Sequence, residues 1–401
     1  METNNQKQTA NIDRRSFLLN ATAVGAGAVL APLVASAEAK AAEGAAGGDT
    51  HSVPAAAGSV LTMAEVLRVA REKLYPRCRV CPECNGVACA GEVPGFGGIG
   101  SGASFKNNYE SLAKVHLQMR TFHEIKKPDT AISIFGETVS FPVLSAATGG
   151  VTYNMGGKMS EEDYVDAIIG GCRAAGTLPL IADGIGDPME VFQRRMNVVK
   201  QYGGKVVVLI KPKTQDEIIK RIHMVEEVGG VAFGIDIDSA GRAARAVPGQ
   251  TVEPKTPKQL AELAKATKLP FFIKGVMTAD EAQMAVDAGA KAIGVSNHGG
   301  RVLDHTPGVA QILPAIAKKV KGKITIIADG AVRHGADVLK LLALGADATL
   351  VGRPLVRGAH GAGKDGVALI LNGIRTELVD SMVLTGTARA RDVSARIIAE
   401  V

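Results

Sequence analysis

Eight short apolar runs recur along the chain, at 141–146, 178–182, 206–211, 232–238, 270–276, 292–296, 325–329 and 348–352. Most are rich in Val and Ile, and most lead into a polar start followed by a helical apolar period. Ser160-Glu161-Glu162-Asp163-Tyr164 opens one such stretch in the manner of a capping box, and Thr214-Gln215-Asp216-Glu217 opens another. Residues 279–289 form a third. Period alone does not separate a buried strand from a buried helix segment, but the short lengths and flanking turns decide for strands. Strands that are apolar throughout and alternate with helices predict a parallel sheet covered on its outer face, closed as an α/β (β/α)8 TIM barrel over 131–401.

The last four runs end in polar, glycine-rich turns, where a barrel of this kind carries its chemistry. The first of them carries Lys274. The second runs into Ser296-Asn297-His298-Gly299-Gly300-Arg301. The third ends in Asp329-Gly330-Ala331-Val332-Arg333-His334-Gly335, and the fourth in Gly352-Arg353-Pro354. An imidazole has the pKa range of a general base, and a guanidinium three residues on is able to hold a carboxylate with two parallel hydrogen bonds. A lysine at a strand end serves either as a site cation or as half of an ion pair inside the barrel. The irregular stretch 241–256, with Arg242 and Arg245, is a natural substrate loop.

The N-terminal part is different. Asp13-Arg14-Arg15-Ser16-Phe17-Leu18-Leu19 precedes a weakly hydrophobic run and the small-x-small triplet Ala35-Ser36-Ala37. This pattern predicts a twin-arginine signal peptide over 1–37, and so delivery to the periplasm or another extracytoplasmic space. An Ala/Gly-rich linker follows over 38–58, then an N-terminal segment over 59–130 with a helix at 62–74. Within that segment Cys78, Cys81, Cys84 and Cys89 are spaced tightly enough to converge on an iron–sulfur cluster or zinc, with disulfides as the alternative in an oxidising compartment. The glycine-rich loop 91–102 follows no strand and reads as a lid or a connector. Cys172, inside a helical pattern, reads as core.

Composition narrows the function classes. Aromatic residues are 4% of the chain and tryptophan is absent, which speaks against base-stacking nucleic-acid modules. The net charge of +6 is not gathered into a basic run, so no nucleic-acid partner is expected. Apolar residues at 46% and 47 glycines suit buried parallel strands joined by tight turns.

Taken in order, the turns at Lys274, at Ser296 to Arg301 with Leu303 and Asp304, at Asp329 to Gly335 and at Gly352 to Pro354 resemble the active-site motifs of the FMN-dependent 2-hydroxy-acid dehydrogenases and oxidases. The resemblance is strongest over 270–387, extends over 141–238 and fades before that. It implies FMN as cofactor, a small 2-hydroxy acid such as lactate or glycolate as substrate, and a homo-oligomer. The implied electron acceptor is oxygen, a quinone or a redox protein. By the same resemblance His298 is the base and Asp238 its carboxylate partner, with Asp236 a rival two positions earlier. Arg301 holds the substrate carboxylate, with Arg242 as a second arginine. Lys274 lies beside the flavin N1 and O2 region, and Ala146, Thr148 and Ser296 line the ring. Asp329, Gly330, Ala331, Val332 and Arg333, with Gly352 and Arg353, bind the rest of the cofactor.

The chain departs from that pattern on the substrate side. Ala147 stands where the family usually has proline, and Val302 where it has glutamine. Gly98 and Ile210 align with the family's substrate-binding tyrosines. Two other readings therefore stand beside a hydroxy-acid oxidoreductase. One is an FMN-barrel isomerase resembling the type 2 isopentenyl diphosphate isomerases, which needs a diphosphate site and a magnesium-binding carboxylate. The other is a flavin electron-transfer protein without turnover.

Overall fold

The structure, a computed structural model, describes residues 60–245 and 251–399, and for 242–245 the backbone only. The signal-peptide reading and the linker reading at 38–58 lie outside the described residues, as does the Arg242 side chain. Among the described residues no helix is long and apolar enough to cross a membrane.

A two-stranded hairpin comes first, β1 (Ile132–Ile134) and β2 (Glu137–Val139). Eight parallel strands follow: β3 (Val143–Ser145), β4 (Leu180–Ala182), β5 (Val207–Ile210), β6 (Ala232–Asp236), β7 (Phe271–Val276), β8 (Ala292–Val295), β9 (Thr325–Ala328) and β10 (Ala348–Val351). Each falls within one of the eight apolar runs. They pair in the order β3-β10-β9-β8-β7-β6-β5-β4. Hydroxyl groups close the remaining seam. Ser145 Oγ accepts from the Leu180 amide at 2.7 Å and donates to the Leu180 carbonyl at 3.0 Å, and Thr177 Oγ1 donates to the Val143 carbonyl.

Strand residues alternate between two environments, as a period of two requires. Leu144, Leu180, Val207, Leu209, Phe272, Ile327 and Leu350 pack into the barrel interior. Val143, Ile181, Val208, Ile210, Ile235, Ile273 and Ile293 pack outward against the helices. The hairpin was not expected from the sequence. Phe135 and Gly136 turn it with positive φ of 51° and 79°. Ile134 and Val139 join the interior cluster, with the Phe135 ring 6.1 Å from Phe272. That cluster includes the first residues of several strands, so the hairpin plugs the N-terminal mouth.

The helices start where their caps predict. Ser160 caps α4 (Glu161–Ala174) by accepting from the Asp163 amide at 2.9 Å, and Thr256 and Gln259 form a capping box at Pro257–Lys265. The expected N-terminal helix is α1 (Met63–Leu74), burying Val66, Ala70 and Leu74 on one face. It crosses the first half of Arg353–Leu384, two helices joined by a kink at Ala362 and Gly363, so closely that a Cβ at Gly361 would meet the Val66 carbonyl at 2.3 Å.

Replacing Ser145 with Ala would leave both Leu180 backbone groups without the hydroxyl that satisfies them. The expected loss is about 1–3 kcal/mol of stability. Urea unfolding of Ser145→Ala should show a lower midpoint with an unchanged slope; an unchanged midpoint would mean that the seam does not depend on this hydroxyl.

Candidate active site

At the C-terminal end of the barrel the interior turns from apolar to charged. Asp236, the last residue of β6, pairs in register with Lys274 of β7. Lys274 Nζ lies 3.2 Å from Asp236 Oδ1 and 3.9 Å from Asp329 Oδ2. Burial disfavours the Lys274 ammonium, but Asp236, then Asp238 and Asp329, hold its pKa above the usual lysine value. Burial would likewise raise Asp236, yet His298, Lys211 and Lys274 hold it well below the ordinary carboxylate range.

Above this floor sits the turn after β8. His298, Gly299 and Gly300 all have positive φ, of 58°, 63° and 77°. A left-handed histidine is a strained choice, of a kind that gathers at functional sites. Two bonds hold it: Ser296 Oγ accepts from the His298 amide at 3.0 Å and donates to Asp329 Oδ2 at 2.6 Å. His298 Nδ1 lies 2.9 Å from Asp238 Oδ1 and 3.5 Å from Asp236 Oδ1. Asp238 is thus the nearer partner, although it lies beyond β6 in the 3-10 segment Ile237–Arg245. These three side chains could together hold a metal ion by distance. The two lysine ammoniums against Asp236 make that a poor cation site.

A cavity of about 710 Å³ opens over these groups, within the usual range of cofactor and substrate pockets. Of the residues expected to bind, it is lined by Ala146, Thr148, Lys274, His298, Arg301, Asp329, Gly330, Ala331, Val332, Arg333, Gly352 and Arg353. Ser296 is fully buried and supports the turn from beneath. Arg301 donates to the Gly95 carbonyl and, at 2.8 Å, to Asn154 Oδ1.

One corner of the cavity is built for an anion. Arg333 and Arg353 face it, and neither makes an ion pair with a carboxylate among the described residues. Arg353 donates to the carbonyls of Phe96 and Gly299 at 2.8 and 3.0 Å and lies 3.8 Å over the Phe105 ring. Burial lowers its pKa to about 10. Arg333 Nε is buried without a partner. Two carboxylate-free guanidiniums beside the left-handed Gly330 suit a phosphate dianion, so the residues present fit the phosphate end of FMN.

All four N-terminal cysteines are free, and among the described residues no three thiols lie within 4.8 Å of one another, so the arrangement lends no support to the expected zinc or iron–sulfur centre. Arginines from elsewhere meet two of the sulfurs. Arg333 Nη2 reaches Cys84 Sγ at 3.4 Å, and Arg357 Nη2 reaches Cys78 Sγ at 3.9 Å. Burial would raise the Cys84 thiol, but Arg333, Arg357 and Arg353 bring its pKa below the ordinary value. Cys172 is buried in the core as expected.

The glycine-rich loop is neither a loose lid nor a plain connector. It is a docked roof. The Ile99 amide donates to the Gly300 carbonyl at 2.9 Å, and the amides of Ser101 and Ala103 donate to Asp304 at 2.6 and 3.1 Å. Val93 and Phe96 of this loop line the cavity.

Sequence reasoning missed two features. Ile210, aligned with a substrate tyrosine, points outward into the helix layer; the next residue, Lys211, is the one that lines the cavity. The loop after β4 also lines it, through Asp183 to Asp187. Buried ion pairs hold that loop: Arg195 to Glu161 at 2.8 Å and Asp187 at 2.5 Å, and Arg221 to Asp183 at 3.5 Å. A polar residue following an apolar run was the available signal in both cases.

Known proteins share this chain's sequence pattern and fold. A family model described as FMN-dependent dehydrogenase matches residues 96–255 and 238–400. A 2-hydroxyacid oxidase of Dictyostelium discoideum is 30% identical over 324 residues, covering 73% of this chain and 81% of that protein. An L-lactate oxidase of Lactobacillus jensenii is 29% identical over 323 residues, covering 72% and 76%. A solved mandelate oxidase mutant with the C4a-OH-FMN adduct superposes with a TM-score of 0.65 at 28% identity, covering 82% of this chain and 97% of that one.

A methyl group at Gly300 would meet the Phe105 amide nitrogen at 2.3 Å, on a backbone with positive φ. Gly300→Ala should therefore lift the roof, lose about 1–3 kcal/mol of stability, and speed amide exchange over 96–105. Exchange at the parent rate would show that the roof is not held by this contact.

Proposed function

Because the chain belongs to the FMN-dependent dehydrogenase family, we propose that it oxidises a small 2-hydroxy acid of the lactate or glycolate kind to the 2-oxo acid, with His298 as base and Arg301 on the carboxylate. The chain is an FMN-dependent oxidoreductase acting on CH–OH donors. The observation that carries the finer reading is the convergence of His298, Arg301 and Lys274 on one cavity.

When bound, FMN supplies the two-electron acceptor. The protein's own groups do the rest. Arg333 and Arg353 hold the phosphate. Lys274 stands in the floor as a buried, permanently charged ammonium, able to stabilise negative charge on the cofactor ring. Asp238 engages His298 Nδ1, which leaves Nε2 to take the substrate's proton and places an anion beside the imidazolium that results. Arg301 fixes the carboxylate, and with it the position of the α-carbon. The phosphate corner alone serves any FMN barrel, but the one metal-distance cluster found among the described residues, Asp236, Asp238 and His298, is held against lysine ammoniums, so the isomerase reading gains no support from it. The oxidase names of the two curated relatives favour oxygen as acceptor.

Anaerobic stopped-flow reduction by lactate, glycolate and mandelate tests this reading. His298→Ala should keep FMN and slow reduction by about 10²–10⁴-fold. Arg301→Lys should chiefly raise KM, since an ammonium lacks the planar fork. A His298→Ala protein reduced as fast as its parent would remove the histidine from the mechanism. Arg353→Ala should weaken FMN binding by about 1.5–3 kcal/mol, read by flavin fluorescence on dilution.

We also propose export by the twin-arginine route, supported by the pattern around Arg14 and Arg15. Replacing both with lysine should keep the precursor in the cytoplasm, followed by fractionation and blotting. Undiminished delivery of that double variant would point to a different route.

A further inference from the structure

Lys211 belongs to none of the roles above. It directly follows β5, is 8% exposed, and lines the active-site cavity. Its ammonium donates to Asp236 Oδ2 and, at 3.2 Å, to Ser239 Oγ. An ammonium has three N–H donors and no acceptor, and burying an unused one is costly. Two are accounted for. The third has no partner among the described residues, on a side chain that borders the cavity.

The neighbours of Lys211 place that donor near the base. Asp236, its ion-pair partner, lies 3.5 Å from His298 Nδ1. Ser239, its other partner, follows Asp238, the nearer carboxylate on the same imidazole. Lys211 and His298 therefore flank one carboxylate and converge on the same part of the cavity. Arg301 is held by different residues, Gly95 and Asn154.

We propose that Lys211 is a further catalytic residue of the hydroxy-acid oxidation: its third N–H binds the substrate's α-oxygen and stabilises the negative charge that gathers there as His298 takes the hydroxyl proton. The inference rests on the proposed function. The O–H bond breaks toward His298, which becomes imidazolium. The oxygen's electron pair becomes the second bond of the product carbonyl as the α-hydrogen leaves with its bonding pair, a hydride equivalent that the FMN of the family's oxidation would take up. Lys211 loses no proton and holds hydroxyl, developing alkoxide and carbonyl oxygen in turn.

Lys211→Met and Lys211→Gln holoproteins test this against a role confined to the Asp236 ion pair. The glutamine variant retains a hydrogen-bond donor, should methionine leave Asp236 too poorly compensated for folding. Two ligands are titrated into oxidised holoprotein, read by the flavin absorbance change without turnover: pyruvate, which has an α-oxygen, and propionate, which has none. Pyruvate binding should weaken about tenfold in Lys211→Met, the loss of one charge-assisted hydrogen bond, while propionate binding stays at the parent value. Anaerobic reduction at saturating hydroxy acid should slow about 10²–10³-fold in Lys211→Met and less in Lys211→Gln. Equal effects on the two ligands, or reduction at the parent rate, would overturn the role of Lys211 and leave the proposed function intact. A parent protein that no hydroxy acid reduces would overturn both.

Discussion

Asp236 is the group that the active site cannot lose. It is buried at the end of β6 and is shared by two lysines, with a serine and the histidine beside it. Buried charges persist only when paired, and removing one partner strands the others. Without Asp236, Lys211 and Lys274 would be two ammoniums in an interior with little water, and the imidazole would lose one of its two anions. The parallel register that sets Asp236 opposite Lys274 is therefore a condition of the chemistry as well as of the fold.

The two halves of the cavity are balanced differently. On the β5–β7 side, anions and cations meet within ion-pair distance. On the side of β9 and β10, Arg333 and Arg353 face backbone carbonyls, an aromatic ring and a thiol, with no carboxylate among the described residues within ion-pair range. A site that leaves guanidiniums uncompensated is one prepared for an incoming anion. The first half holds its own groups in place, and the second is completed by what binds there.

The eight strands were legible because each is buried on both faces, so the runs are apolar from end to end. The turn from Ser296 to Arg301 was legible because its chemistry is local: glycines, a base and a guanidinium within six positions. The hairpin was not, because Ile132–Ile134 and Glu137–Val139 are too short to show a period. Lys211 was missed by a single position, and in a strand one position is the difference between the core of the barrel and its helical coat. The cysteine spacing carried no sign of what the Cys84 and Cys78 sulfurs touch. Their partners, Arg333 and Arg357, come from about 250 and 280 residues further on, a distance over which local pattern carries nothing.

The roof over the cavity has a consequence for the order in which the protein is made. Ser101 and its anchor Asp304 are separated by 203 residues, and the six strands from β3 to β8 are synthesised between them. Contacts of such long sequence separation form late, since a large loop must close before they stabilise anything. The growing chain thus carries its roof first and acquires the latch only after most of the barrel has emerged. The roof is therefore fixed over the cavity only once Asp304 has been made.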